Sequence, residues 1–261
     1  MKKLIAIVLC IALALAFTGC GKKSETLKVG ASVTPHAQIL AIAKDILAEE
    51  GIELEIVEFS DYVIPNTSLE SGDLDANYFQ HKPYMDDFNA GHGTHLVSVA
   101  AIHYEPFGIY AGKTASIADL ADGATISVPN DGSNEARALN LLEAQGLIKL
   151  DVAAGQTATV LDIAENPKKI EVKEFEAAAV PRMLADVDLA VINSNYALQA
   201  GVEVVGTAIA VESSEIAYPN IVAIREGDDR EELKTLVEVL QSDAIVTFIK
   251  DTYGTAVVPT K

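Results

Sequence analysis

Two periodicities alternate along the chain. TLKVGASV reads as a short strand, and TPHAQILAIAKDILAEEG follows with Ile39, Leu40, Ile42, Ala43, Ile46 and Leu47 at helical spacing. Thr34 is placed to cap that helix, Pro35 to occupy its first position and Gly51 to end it. IELEIVEF is the next strand, with Ile52, Leu54 and Ile56 on one face. Strand, helix and strand in about 35 residues predict a parallel βα unit. LVSVAAI and PFGIYAG read as further strands. A second cycle then runs through ATISV, a helix over 133–145 with Ser133 as its cap, IEVKEFE, a helix over 178–186, LAVIN and VEVVGTAI. IVAIRE and helices over 229–240 and 242–252 complete it.

The alternation predicts an α/β fold. No long linker or internal repeat divides it, so two lobes would have to exchange strands. Gly112-Lys113-Thr114 and Tyr218-Pro219 are the expected crossings. They give one lobe from residues 27–112 and 219–261 and a second from 113–218.

The N-terminus obeys another pattern. Lys2 and Lys3 precede an unbroken apolar run of 14 residues, Leu4 to Phe17, and then Thr18, Gly19 and Cys20. The run suits a signal segment and is short for a membrane-spanning helix. The pattern resembles a bacterial lipoprotein signal over 1–19, cut before a lipid-carrying Cys20, with residues 20–26 as a polar tether. Cys10 falls in the discarded part, so no internal disulfide is expected. The formal charge of −19 argues against nucleic-acid partners.

Nine of the 15 aromatic residues lie between Phe59 and Tyr110, crowded in DANYFQHKPYMDDF at 75–88. Rings mixed with polar groups suggest a lined pocket. In VPNDGSNEARALNLLE, a strand-to-helix turn offers free N–H groups and Arg137, which together suit a carboxylate. An arginine on the exposed face of an amphipathic helix would leave the same pattern. Asn193 and Asn195 end a strand in AVINSNYA, and Asn220 opens one in YPNIVAIRE; each is a ligand amide or a turn-former. His92-Gly93-Thr94-His95 looks like the histidine segment of subtilisin-like proteases, but no serine segment or early aspartate motif accompanies it. No carboxylate or cysteine set completes a metal site there, and no metal or cofactor is expected.

Together, TPHAQIL, SDYVIPN, DANYFQHKPYMDDF, YEPFGIYAGK, VPNDGSNEARAL, AVINSNYA and YPNIVAIRE resemble the methionine-binding (NlpA-type) lipoproteins of ABC importers. Gly132 and Ser133 stand where that family usually has proline and threonine. The resemblance implies a two-lobe type II periplasmic-binding-protein fold, not an enzyme, with its ligand between the lobes. Tyr62, Phe79, His81 and Tyr84 would line the thioether pocket. Arg137 would hold the carboxylate with Asn134 nearby, and Asn193 and Asn220 would receive the ammonium. Asn195 ranks below Asn193, and Tyr78 and Phe88 are assigned to the core. A methionine-containing dipeptide or another apolar amino acid is the alternative ligand. The resemblance further implies a monomer, lipid-anchored at the extracytoplasmic face of the cell membrane, that serves an importer permease and its ATPase.

Overall fold

A computed structural model describes residues 25–152, 157–202, 207–213 and 218–261. The signal segment, Cys20 and most of the tether lie outside the described residues. The expected tether runs two residues too far, because β1 already begins at Glu25.

In the first half, β1 (Glu25–Ser32), α1 (Gln38–Glu49) and β2 (Ile52–Phe59) form the expected unit, with β1 and β2 parallel in register. Thr34 is not the cap: it is extended, its bond to Pro35 is cis, and the regular helix starts only at Gln38. Then come α2 (Ile64–Ser71), β3 (Ala76–His81), α3 (Lys82–His92), β4 (Leu96–Tyr104) and β5 (Gly108–Ala111). The second half holds β6 (Thr125–Pro129), α4 (Gly132–Ala144), β7 (Lys149–Leu150), β8 (Ile163–Glu165), β9 (Glu171–Phe175) and a 3-10 turn at Val180–Ala185. It continues through β10 (Leu189–Ile192), α5 (Ser194–Gln199) and β11 (Ala208–Val211). The chain ends with β12 (Pro219–Arg225), α6 (Glu231–Leu240), α7 (Asp243–Tyr253) and β13 (Val258–Pro259).

Two sheets result. The first is ordered β13-β4-β12-β3-β1-β2 and the second β11-β5-β10-β6-β9; β7 and β8 pair separately. Leu27, Val29, Leu54 and Tyr78 of the first sheet are buried against Ile39, Leu40 and Leu47 of α1 and Leu236 and Leu240 of α6. Ile109, Ile126, Val128 and Val191 of the second are buried with Leu139 and Leu142 of α4. Each such side chain contributes about 1.5–3 kcal/mol, so each sheet has a core of its own.

β5 belongs to the second sheet, which moves the first crossing from Gly112–Thr114 back to the stretch between Tyr104 and Gly108. β11, which ends at Val211, belongs to the second sheet, and β12, which starts at Pro219, to the first. Gly112 is a packing glycine. A Cβ there would sit 2.3 Å from the Val187 carbonyl oxygen and 2.6 Å from that of Leu184.

β3 lies between β1 and β12 and is buried along its whole length despite the polar residues in ANYFQH. Asn66 of α2 makes that possible. Its amide oxygen accepts from Asn77 Nδ2 at 2.8 Å and Gln80 Nε2 at 2.7 Å, and its own Nδ2 donates to Gln80 Oε1 at 2.8 Å. The pairing with β12 steps from Gln80 to Tyr78 past Phe79, a bulge that re-aims the neighbouring side chains. At the strand end, Asn220 pairs with His81 on one side and His103 on the other. Register alone thus gathers three polar side chains in one row.

Because backbone oxygens surround Gly112, Gly112→Ala should destabilise the fold by about 1–3 kcal/mol, the usual cost of overpacking. Urea melts of the two proteins test this; equal midpoints would mean that the close approach relaxes freely.

Candidate functional site

Between the two sheets lies a cavity lined by residues of both halves of the chain. All eight expected residues, Tyr62, Phe79, His81, Tyr84, Asn134, Arg137, Asn193 and Asn220, are on its wall. Tyr62, Phe79 and Tyr84 form a triangle of rings with centroids 5.6–6.2 Å apart. Tyr84 donates its hydroxyl to the Tyr62 carbonyl at 2.9 Å, which ties the helix ring to the loop ring. Tyr62 reaches the other half of the molecule: its hydroxyl donates to Asn195 Oδ1 at 2.6 Å.

His81 is fixed in one tautomer. It caps α3, with Nδ1 accepting the Tyr84 N–H at 3.2 Å. Its Nε2 must then carry the proton, which it donates to Asn134 Oδ1 at 3.1 Å. Asn193 Nδ2 donates to the same oxygen at 3.0 Å, and Arg137 Nη1 at 3.3 Å. The α4 cap is Asp131 rather than Ser133. Asp131 Oδ1 accepts the Asn134 N–H at 3.0 Å and the Asn134 Nδ2 at 2.8 Å. A carboxylate fits this position better than a hydroxyl, since it binds two donors of one residue and meets the positive end of the helix. The shifted cap leaves Arg137 six residues past the cap rather than four.

Arg137 does not wait with an open fork. Its Nε donates to Glu212 Oε2 at 3.1 Å and its Nη2 to Glu212 Oε1, while Phe107 lies beneath the guanidinium at 4.8 Å. Nη1 is the arm turned to Asn134. The parallel double bond expected for a ligand carboxylate is thus already made to a side chain that sequence reasoning passed over. Glu212 lies in no recognisable motif, 75 residues from its partner.

Gln80, Glu105, Phe107, Ser194 and Asn195 also line the cavity. Glu105 stands in YEPFGIYAGK and could have been read as a buried acid on a strand-to-strand crossing. Two polar atoms of the wall have no protein partner: Asn193 Oδ1, an acceptor, and Asn195 Nδ2, a donor. Asn195 therefore ranks with Asn193, not below it. Tyr78 and Phe88 are buried, as expected of core residues, and neither lines the cavity. His92 stacks on Phe88 and His95 pairs with Glu70 at 3.1 Å; neither touches the cavity.

The chain belongs to the NlpA lipoprotein family. The family matches residues 27–261. The D-methionine-binding lipoprotein MetQ of Escherichia coli is 42% identical over 238 residues, covering 88% of each chain. A nutrient-binding protein from Burkholderia cenocepacia, solved bound to methionine, superposes with a TM-score of 0.87 at 45% identity, covering 90% of this chain and 100% of that one. A lipoprotein from Ruminococcus gnavus gives a TM-score of 0.89 at 50% identity, with coverages of 91% and 100%. These neighbours are consistent with the two-lobe binding-protein fold. Members of the family are binding proteins, and relatives are membrane lipoproteins. Among the described residues no helix is long and apolar enough to cross a membrane.

Burial holds the site histidines neutral. It lowers His36 to about 4, and lowers His81 and His103 to about 3. An unfolded histidine titrates near 6.5. Between that value and the folded ones the unfolded chain binds protons that the folded chain refuses, so stability falls as pH drops. Burial raises Glu105, which acts in the opposite sense: its contribution is present at low pH and lost as pH rises. The three histidines predict a fall in melting temperature from about pH 6.5 towards pH 4, offset in part by the carboxyls that burial raises, Glu105 and Asp131 among them. Calorimetric melts across that range test it; a level or rising profile on acidification would contradict the neutral assignment.

Proposed function

We propose that this protein is a lipid-anchored receptor that captures methionine and delivers it to the permease and ATPase of an ABC importer. The observation that carries the reading is the cavity wall itself. Three rings offer a sulfur-tolerant face, with each thioether–ring contact contributing about 0.3–1.5 kcal/mol. Opposite them stand an unpartnered amide oxygen on Asn193 and an unpartnered amide N–H on Asn195. A zwitterion must find an acceptor for its ammonium and donors for its carboxylate, or desolvation defeats binding. Asn193 and Asn220 supply acceptors. Arg137 Nη1 and Asn195 Nδ2 supply donors, and Tyr62, Phe79, His81 and Tyr84 enclose the side chain. The methionine-bound Burkholderia relative supports the ligand class.

The lobes follow the two sheets, and the chain acts as a monomer between membrane and importer. Cys20 carries the lipid that holds it at the extracytoplasmic face; the apolar run before it and the lipoprotein relatives support that anchor.

A thermal-shift screen over both methionine enantiomers, other apolar amino acids and methionine-containing dipeptides tests the ligand. Methionine at 100 times its dissociation constant should add about 2.7 kcal/mol of stability. No shift with any methionine form would end the proposal. Arg137→Ala should weaken methionine by about 2–5 kcal/mol in titration calorimetry, since in the complex it leaves the ligand carboxylate facing an unpaired Glu212. Cys20→Ser should move the protein from the membrane to the soluble fraction; a variant that still sediments with membranes would refute the anchor.

A further inference from the structure

Around the cavity, the described residues place two buried carboxylates but one buried guanidinium. Glu212 is 1% exposed and occupies Arg137 through Nε and Nη2. That pair is neutral as a unit. Asp131 is spent on the α4 cap, and Glu105 is the charge left over. It lies on the crossing between the sheets, its side chain 8% exposed, and it lines the cavity.

With Glu105 ionised, a state that burial disfavours, its hydrogen bonds are those of an acceptor among neutral donors. His103 Nδ1 meets the Tyr78 hydroxyl; with that hydroxyl donating, the His103 proton sits on Nε2 and is donated to the Glu105 carboxylate at 2.9 Å. His36 Nε2 lies 3.4 Å from the same oxygen and 3.3 Å from Asn220 Oδ1. Both of these are acceptors, so this nitrogen too carries the proton. The backbone N–H of Asn195 also donates to the carboxylate. Both rings are buried, at 1% and 0% exposure, so the carboxylate is the member of the cluster that the cavity reaches. The cation nearest to it, Arg137, is already claimed; it gives Glu105 only a 3.4 Å bond to the backbone oxygen. Tyr62, Tyr110 and Tyr253, the other titratable groups around it, are neutral phenols whose titration burial raises.

A buried carboxylate served by neutral donors, with its counter-ion spent elsewhere, is costly unless a cation arrives. We propose that Glu105 is the counter-charge of the ligand's ammonium. On that assignment a free α-amino group is the site's first requirement, and the ligand carboxylate, which meets an arginine already neutralised by Glu212, matters less. Asn193 Oδ1 completes the ammonium's set of acceptors. The class of ligand is then any small thioether bearing an α-ammonium, including one whose carboxylate is masked as an amide. This rests on the methionine reading and adds to it an order of importance among the ligand's groups.

Titration calorimetry of the wild-type protein with three ligands tests the inference: methionine, methioninamide and 4-(methylsulfanyl)butanoate, which lacks the amino group. The deaminated ligand should lose about 100-fold or more in affinity, and the amide less than about tenfold. In Glu105→Gln, methionine should lose about 100-fold while the deaminated ligand changes by less than about threefold. Such a pattern is not produced by a fold defect, which would weaken both ligands alike. If the amide loses as much as the deaminated ligand, or Glu105→Gln binds methionine like the wild type, the assignment is overturned. The wild-type comparison decides the matter even if the variant does not fold. Failure of methionine itself to bind would overturn the ligand reading and this inference together; methionine binding that is indifferent to the amine would overturn only the inference.

Discussion

One amide oxygen holds the cavity together. Asn134 Oδ1 accepts from His81, Asn193 and Arg137, which stand on β3's end, the turn after β10 and the face of α4. His81 ends a strand of the first sheet, Asn193 follows a strand of the second, and Arg137 lies on the helix packed against that second sheet. An amide oxygen has two good lone-pair directions, and three donors crowd it. The crowding is tolerable because Asp131 polarises the same side chain from its other end, accepting the Asn134 Nδ2. The tie therefore depends on His81 being neutral with its proton on Nε2. That state follows from its second role as the cap of α3, where Nδ1 is committed to the Tyr84 N–H.

Much of this was legible in the sequence, for identifiable reasons. Paired strands such as β1 and β2 and amphipathic helices such as Glu231–Leu240 carry their burial in their spacing and formed there, whereas the helix expected over 178–186 is a 3-10 turn at Val180–Ala185 and residues 203–206 of the strand expected in VEVVGTAI lie outside the described residues. The polar strand Ala76–His81 does not alternate, because Asn66 satisfies its amides from a helix that has no strong apolar stripe of its own. Its burial could be inferred only from the motif it belongs to. Ser133 looked like a cap, but Asp131 lies two positions earlier and its carboxylate reaches the same amide. Gly112 looked like a joint, but glycine is needed there for closeness, not for freedom.

The eight residues expected in the pocket were legible because each sits in a motif of its family. Glu105 and His36 stood in quoted motifs too, in YEPFGIYAGK and TPHAQIL, yet they drew no attention. Spacing cannot tell a buried acid with neutral donors from a surface acid in a chain that has 38 of them. Glu212 was invisible for a stronger reason. A salt bridge between positions 75 apart leaves no periodic trace, and only the folded second sheet brings its end beside α4.

The placement of the two acids links charge to architecture. Glu105 lies on the outgoing crossing between the sheets, and Glu212 lies at the start of the returning one. Crossings are where a two-lobe molecule bends, since few other covalent paths join the halves. Each carboxylate is therefore anchored to a segment whose path changes if the lobes move apart. Arg137 is carried by α4, in the second lobe, and His36 and His103 belong to the first. Opening the cleft would shift Glu105 relative to the histidines or to Asn195, and the balance of buried charge would change with it. The geometry that gathers the rings thus also sets how the carboxylates Glu105, Glu212 and Asp131 stand around the one guanidinium of the cavity wall.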